Sequence, residues 1–150
     1  MGMDVYTPSY WAARESGEYT QAEELYQQFI SQENLGDGQE DWGLYQESQR
    51  LSAELDLKYG HFRWGRVQWE LTGEGPGDEG RDFTAIDARR WAGMAQRAWD
   101  ALPHGTLLNG FGEVMAEGAI LSREHNILLT EWDLKKFKAL ADLGECFYIT

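Results

Sequence analysis

Three times the chain sets a threonine three residues ahead of an acid at the head of an apolar run: Thr20 with Glu23, Thr84 with Asp87 and Thr130 with Asp133. In such a pair the hydroxyl accepts from the third helical amide and the carboxylate accepts from the threonine's own amide, so each pair predicts a helix start. Past Thr20, the residues Ala22, Leu25, Tyr26, Phe29 and Ile30 recur at helical spacing and leave Glu23, Glu24, Gln27 and Gln28 outside. Past Thr84 the stripe is Ala88, Trp91, Ala92, Ala95, Ala98, Trp99 and Leu102, closed by Pro103-His104-Gly105. Past Thr130 it is Leu134, Phe137, Leu140, Ala141 and Leu143, with Leu129 and Leu134 as a hydrophobic staple and Gly144 as the stop. Asp41 caps one more helix, ending near Gly60. Its Leu44, Leu51 and Leu55 share a stripe, and its Glu47, Arg50, Glu54 and Lys58 pair along the helix.

Between the helices the period changes. Phe62 and Trp64 alternate out of phase with Val67, Trp69 and Leu71, which predicts a strand over 62–71 bent by a bulge at Gly65. Leu107-Leu108-Asn109-Gly110 reads as a strand entering a turn, and residues 113–121 fit either a short helix or another strand. Cys146-Phe147-Tyr148-Ile149 reads as a short strand whose antiparallel neighbour is Met3-Asp4-Val5-Tyr6. The stretch from Gly73 to Gly80 holds four glycines and a proline, which predicts a mobile loop over 73–82. One hundred and fifty residues suit one core. The expectation is a single α+β domain over 1–150: three to four amphipathic helices packed on a small, mainly antiparallel sheet.

Acids outnumber bases 26 to 13, for a net charge of −13, which argues against direct binding to nucleic acid or an anionic membrane. The charge is polarised: residues 1–60 hold twelve acids against three bases. The single cysteine, Cys146, has no internal partner, which fits a reducing cytoplasm. The opening residues lack the basic and apolar regions of a secretory signal, and nowhere do 18 apolar residues run together, so neither export nor membrane spanning is expected.

Catalytic signals are weak. His61, His104 and His125 stand too far apart to share a metal by local spacing and read as surface or capping residues. Ser122-Arg123-Glu124-His125 places a base beside a carboxylate, but neighbours in a turn rarely face each other. Gly110-Phe111-Gly112 starts like a phosphate-binding turn and then has Met115 where the third glycine belongs. Glu74, Asp78 and Glu79 miss the calcium-loop pattern. No catalytic residue, metal site or cofactor is predicted. Arg89, Arg90 and Arg97 form either an anion site or internal partners for the acidic half.

The opening Met1-Gly2-Met3-Asp4-Val5-Tyr6, with Phe137, Leu140, Gly144, Phe147 and Ile149 at the other end, resembles a group of small proteins from bacteria and their phages that carries no assigned activity. The resemblance implies a bacterial cytoplasm, or that of a host if the chain is phage-encoded.

The expected function is a small acidic inhibitor that occupies a basic, nucleic-acid-handling protein, as inhibitors of CRISPR or restriction systems and toxin-immunity proteins do. Glu23, Glu24, Glu40, Asp41 and Glu47 form its charged face and Tyr10, Trp11 and Trp42 its anchors. The alternatives are an accessory domain, or a small enzyme holding an anionic substrate on Arg89, Arg90 or Arg97 beside His104 or His125.

Overall fold

The computed structural model describes residues 3–75 and 79–150. The protein is α+β, with two small antiparallel sheets among the described residues. The first has the order β2-β1-β7-β3, built from β1 (Met3–Tyr6), β2 (Arg63–Trp64), β3 (Arg81–Phe83) and β7 (Phe147–Ile149). The expected pairing of the first and last strands of the chain holds, with Val5 opposite Ile149 and Tyr6 opposite Tyr148. The second is a meander of β4 (His104–Leu108), β5 (Val114–Ser122) and β6 (Ile127–Thr130), so residues 113–121 are strand.

Six helices accompany the sheets among the described residues: α1 (Pro8–Glu15), α2 (Thr20–Glu33), α3 (Trp42–Lys58), α4 (Arg66–Thr72), α5 (Ala85–Ala101) and α6 (Glu131–Leu143). Two of the three threonine–acid pairs form full capping boxes, Thr84 with Asp87 and Thr130 with Asp133. Asp41 accepts from the Gly43 amide as its position predicts, and α6 stops at Gly144 in the left-handed conformation. Trp91, Phe137, Leu129, Leu140, Val5 and Ile149 are fully buried in one core between the sheets and the α5–α6 pair. α2 and α3 pack as a hairpin. Ala22 and Ser48 allow their close approach, and the Ser48 hydroxyl donates to the Ala22 carbonyl at 2.7 Å.

Several expectations are corrected. The third pair, Thr20 with Glu23, is not a cap. The N-cap of α2 is Tyr19, because a turn after α1 already bonds the Thr20 amide to the Gly17 carbonyl, and Glu23 pairs instead with Arg14 at 2.6 Å. The strand predicted over 62–71 ends at Trp64. Gly65 is the N-cap of α4, whose Gln68 side chain accepts from the Gly65 amide at 2.9 Å. Val67 and Leu71 are four apart and pack on the core from one helix face, so helical spacing within this run prevails over the alternation. α1 was not predicted, although Thr7 followed by Pro8 is a recognisable start: the Thr7 hydroxyl accepts from the Tyr10 amide at 3.0 Å and Pro8 takes the first turn.

The middle of the loop predicted over 73–82, residues 76–78, lies outside the described residues. Its flanks are bonded into the fold. The Glu74 backbone carbonyl accepts from the Trp64 indole, its carboxylate accepts from the Trp91 indole, and Arg81 and Asp82 belong to β3.

Candidate functional site

The outer face of the first sheet is the place where separate elements converge on one open groove. Strand alternation sends Val5, Phe83, Phe147 and Ile149 into the core, so Tyr6, Tyr148 and Asp82 stand on the opposite face, adjacent across three strands. α1 crosses one end and lays Trp11 flat on Tyr6, with ring centroids 5.3 Å apart and planes within 10°. Tyr148 closes the other side by donating to the Glu79 carbonyl at 2.9 Å. The groove holds about 830 Å³, its walls are largely apolar, and Asp82 is the only charged side chain among the described residues that lines it. Trp11 is 52% exposed there. Tyr10, paired with Trp11 as an expected anchor, is buried. It supports Trp11 edge-on from below, stacks on His61 at 4.0 Å and contacts Tyr19.

The acidic residues expected to form a charged face fall into three local roles. Glu23 is bound by Arg14. Glu47 is bound by Arg50, whose hydrogen bond holds the Glu47 carboxyl below the usual carboxylate range. Asp41 accepts from Gly43 at 2.9 Å while its own amide donates to Gln32 at 2.7 Å, which fixes the α2–α3 turn. Glu24 is exposed and Glu40 half-buried, and neither enters a salt bridge among the described residues. Next to this turn Trp42 is 54% exposed yet held in place, 4.8 Å from Phe29 and 5.9 Å from Tyr45.

The arginines of α5 do not serve the acidic half. Arg90 bonds Glu74 at 3.0 Å and Asp87 at 3.2 Å, both in its own part of the chain, while Arg89 and Arg97 are exposed. Two of the three bases of the acidic half pair locally within it, Arg14 with Glu23 and Arg50 with Glu47 and Glu54, whereas Lys58, expected to pair along α3, lies 5.2 Å from the Tyr59 ring centroid instead. His104 bonds the Trp99 carbonyl at 2.9 Å, and His125 stands 3.8 Å from Glu124 in an exposed turn. The Gly110-Phe111-Gly112 turn has no amides to offer a phosphate from Phe111 or Glu113, because the Asn109 side chain accepts from both.

His61 is half-buried and not the surface or capping residue expected. Its Nδ1 lies 2.7 Å from the Val5 carbonyl and donates its proton to it. It shares a depression of about 170 Å³ with Asp56, Arg63 and Lys136, and among the described residues no Ser, Thr or Cys lines that space to act as a nucleophile. Asp56 accepts from the Tyr19 hydroxyl at 2.9 Å. Burial pushes its carboxyl above the ordinary carboxylate value, which outweighs the Tyr19 bond and the attraction of His61. A raised carboxyl means the fold disfavours the ionised form: its stabilising contribution is complete below the ordinary value and is lost as pH rises through the raised one. Asp56→Asn is therefore expected to raise the melting temperature at pH 7, with the two proteins converging as the pH falls toward about 4. Thermal unfolding at the two pH values checks this, and a variant less stable than the parent at pH 7 contradicts it.

No helix among the described residues is long and apolar enough to cross a membrane. Fold and site together define an α+β protein with an aromatic groove on the open face of one sheet and an acidic helical hairpin beside its first helix. Comparison with family models, curated proteins and solved structures finds no match to this chain.

Proposed function

We propose that the protein binds a basic surface of a nucleic-acid-handling protein and blocks it, in a bacterial cytoplasm or that of a phage-infected host. The carrying observation is Trp42: a large ring more than half exposed, held against Phe29 and Tyr45, and flanked by Glu40 and Asp41. A rigid aromatic gives up little conformational freedom on binding, so it is the kind of residue that anchors an interface. The surrounding carboxylates draw a cationic partner in and speed encounter. Trp11 supplies a second exposed ring on α1.

The local roles of the acids dictate the test. Reversing Asp41 removes a helix cap worth about 1 kcal/mol, so it confuses folding with binding. Glu24→Lys and Glu40→Lys combined with Trp42→Ala spare that cap. Immobilised protein is expected to retain a basic protein from bacterial lysate at about 0.15 M salt and to release it at several-fold higher salt. The triple variant is expected to retain less than about a tenth as much, the loss of one central aromatic anchor alone being about 2 kcal/mol. Retention unchanged by the triple variant overturns the reading.

A further inference from the structure

The aromatic groove has its own chemistry, and we infer that it receives an arginine side chain presented by the basic partner, a deepening that rests on the reading above. Three features carry this. The first is charge: Asp82 is exposed and, among the described residues, makes no salt bridge and is the one charged side chain lining a groove on a chain of net charge −13. The adjacent Arg81 does not neutralise it, because strand alternation turns that guanidinium the other way, 4.7 Å above the Phe83 ring. A cation is the complementary occupant.

The second feature is the rings. Trp11 and Tyr6 form one stacked unit and Tyr148 stands beside them across the sheet, so aromatic surface lies next to the Asp82 carboxylate. A cation over a tryptophan or tyrosine face is attracted by the ring quadrupole, and the flat, weakly hydrated guanidinium stacks there while still donating a fork of N–H bonds to a carboxylate. An ammonium offers a compact charge that holds its water more tightly, so lysine fits less well. The third feature is size. A groove of about 830 Å³ accommodates the arginine and the residues flanking it in an extended segment.

The site is prepared before binding. Tyr148 is fixed by its bond to the Glu79 carbonyl and lies over Gly80, where an added Cβ would meet the phenolic oxygen at 2.4 Å. Trp11 is braced by Tyr6 and by the buried Tyr10.

The test uses the whole chain and the capped peptide Gly-Gly-Arg-Gly-Gly, with citrulline and lysine versions as controls. Citrulline keeps the shape and removes the charge. The readout is the indole N–H resonance of Trp11 in a proton–nitrogen correlation spectrum, assigned by its disappearance in Trp11→Phe. A saturable shift with the arginine peptide is expected, with citrulline and lysine each at least about five-fold weaker. Asp82→Asn is expected to weaken the arginine peptide by at least about five-fold and leave the citrulline peptide unchanged. An unmoved Trp11 resonance, equal binding of arginine and citrulline, equal binding of arginine and lysine, or indifference to Asp82→Asn each overturns the assignment. The variant carrying Glu24→Lys, Glu40→Lys and Trp42→Ala keeps the groove intact and is expected to bind the peptide as the parent does. If that variant loses the protein partner while the peptide never titrates Trp11, the groove assignment falls and the acidic-hairpin reading stands. If the peptide titrates as expected but capture ignores the hairpin, the converse holds.

Discussion

Gly118→Ala is expected to cost about 3 kcal/mol or more, enough to lower the melting temperature by about 6–12 °C for a chain of this size. Gly118 sits in the middle strand of the meander, opposite Gly105 on one side and Thr130 on the other. A Cβ there would lie 2.0 Å from the Leu129 carbonyl oxygen and 2.7 Å from its carbon. Both atoms are backbone, so no side chain can rotate away. Relief requires β5 and β6 to separate, which breaks their ladder and unseats Leu129, a fully buried core residue. Gly110→Ala is the control: it lies at the β4–β5 tip with no atom within 4 Å of the added methyl, and it is expected to leave the transition where it was. Equal melting temperatures for the two variants would contradict the close approach of the strands.

That glycine shows why the second sheet was harder to read from the sequence than the helices. A helix is specified by contacts within one turn, so Thr84, Asp87, Thr130, Asp133 and Gly144 announce themselves locally, and all five perform their expected roles. The glycine requirement at 118 arises from Leu129 and Thr130 in another strand, and nothing in the residues beside it announces that neighbour. Thr20 shows the limit of local reading even for a helix: its capping sequence is correct, but the turn after α1 satisfies its amide first. In residues 62–71 two periods were superimposed. Trp64 fits the strand, Val67 and Leu71 fit the helix, and the contact of α4 with the core decides between them.

The site was legible in the same uneven way. Pairing the first strand with the last puts Tyr6 beside Tyr148, and that much follows from the alternation of Val5 with Tyr6 and of Phe147 and Ile149 with Tyr148. Asp82 joins them only through β3, three residues long and too short to show a period, whose partner lies more than 60 residues away. Trp11 is one of the three aromatic anchors expected from the sequence, and its ring is exposed. What the sequence did not reveal is that its neighbour Tyr10 turns inward, because that follows from α1, the helix that went unpredicted.

Trp91→Ala separates the stability of the groove from its chemistry, and is expected to cost about 3–5 kcal/mol. Trp91 is fully buried, with its ring 4.9 Å from Trp64, 5.0 Å from Phe83 and 5.6 Å from Phe147, and its indole donates to Glu74 at 3.0 Å. Truncation leaves a cavity beneath Phe83 and Phe147, which face each other in the β3–β7 register, and deprives the Glu74 carboxylate of one of its two donors. The melting temperature should fall by about 6–20 °C, at 2–4 °C for each kcal/mol. Because Asp82 and Tyr148 are the outward neighbours of those same phenylalanines, arginine binding in the groove should weaken together with the fold. Trp11→Ala is expected to do the opposite: its ring is half exposed and lies outside the core, so the transition moves little while the groove loses a wall. If Trp91→Ala left both the melting temperature and the Tyr148 and Asp82 resonances unchanged, the core contacts beneath the sheet would not be what holds the groove open.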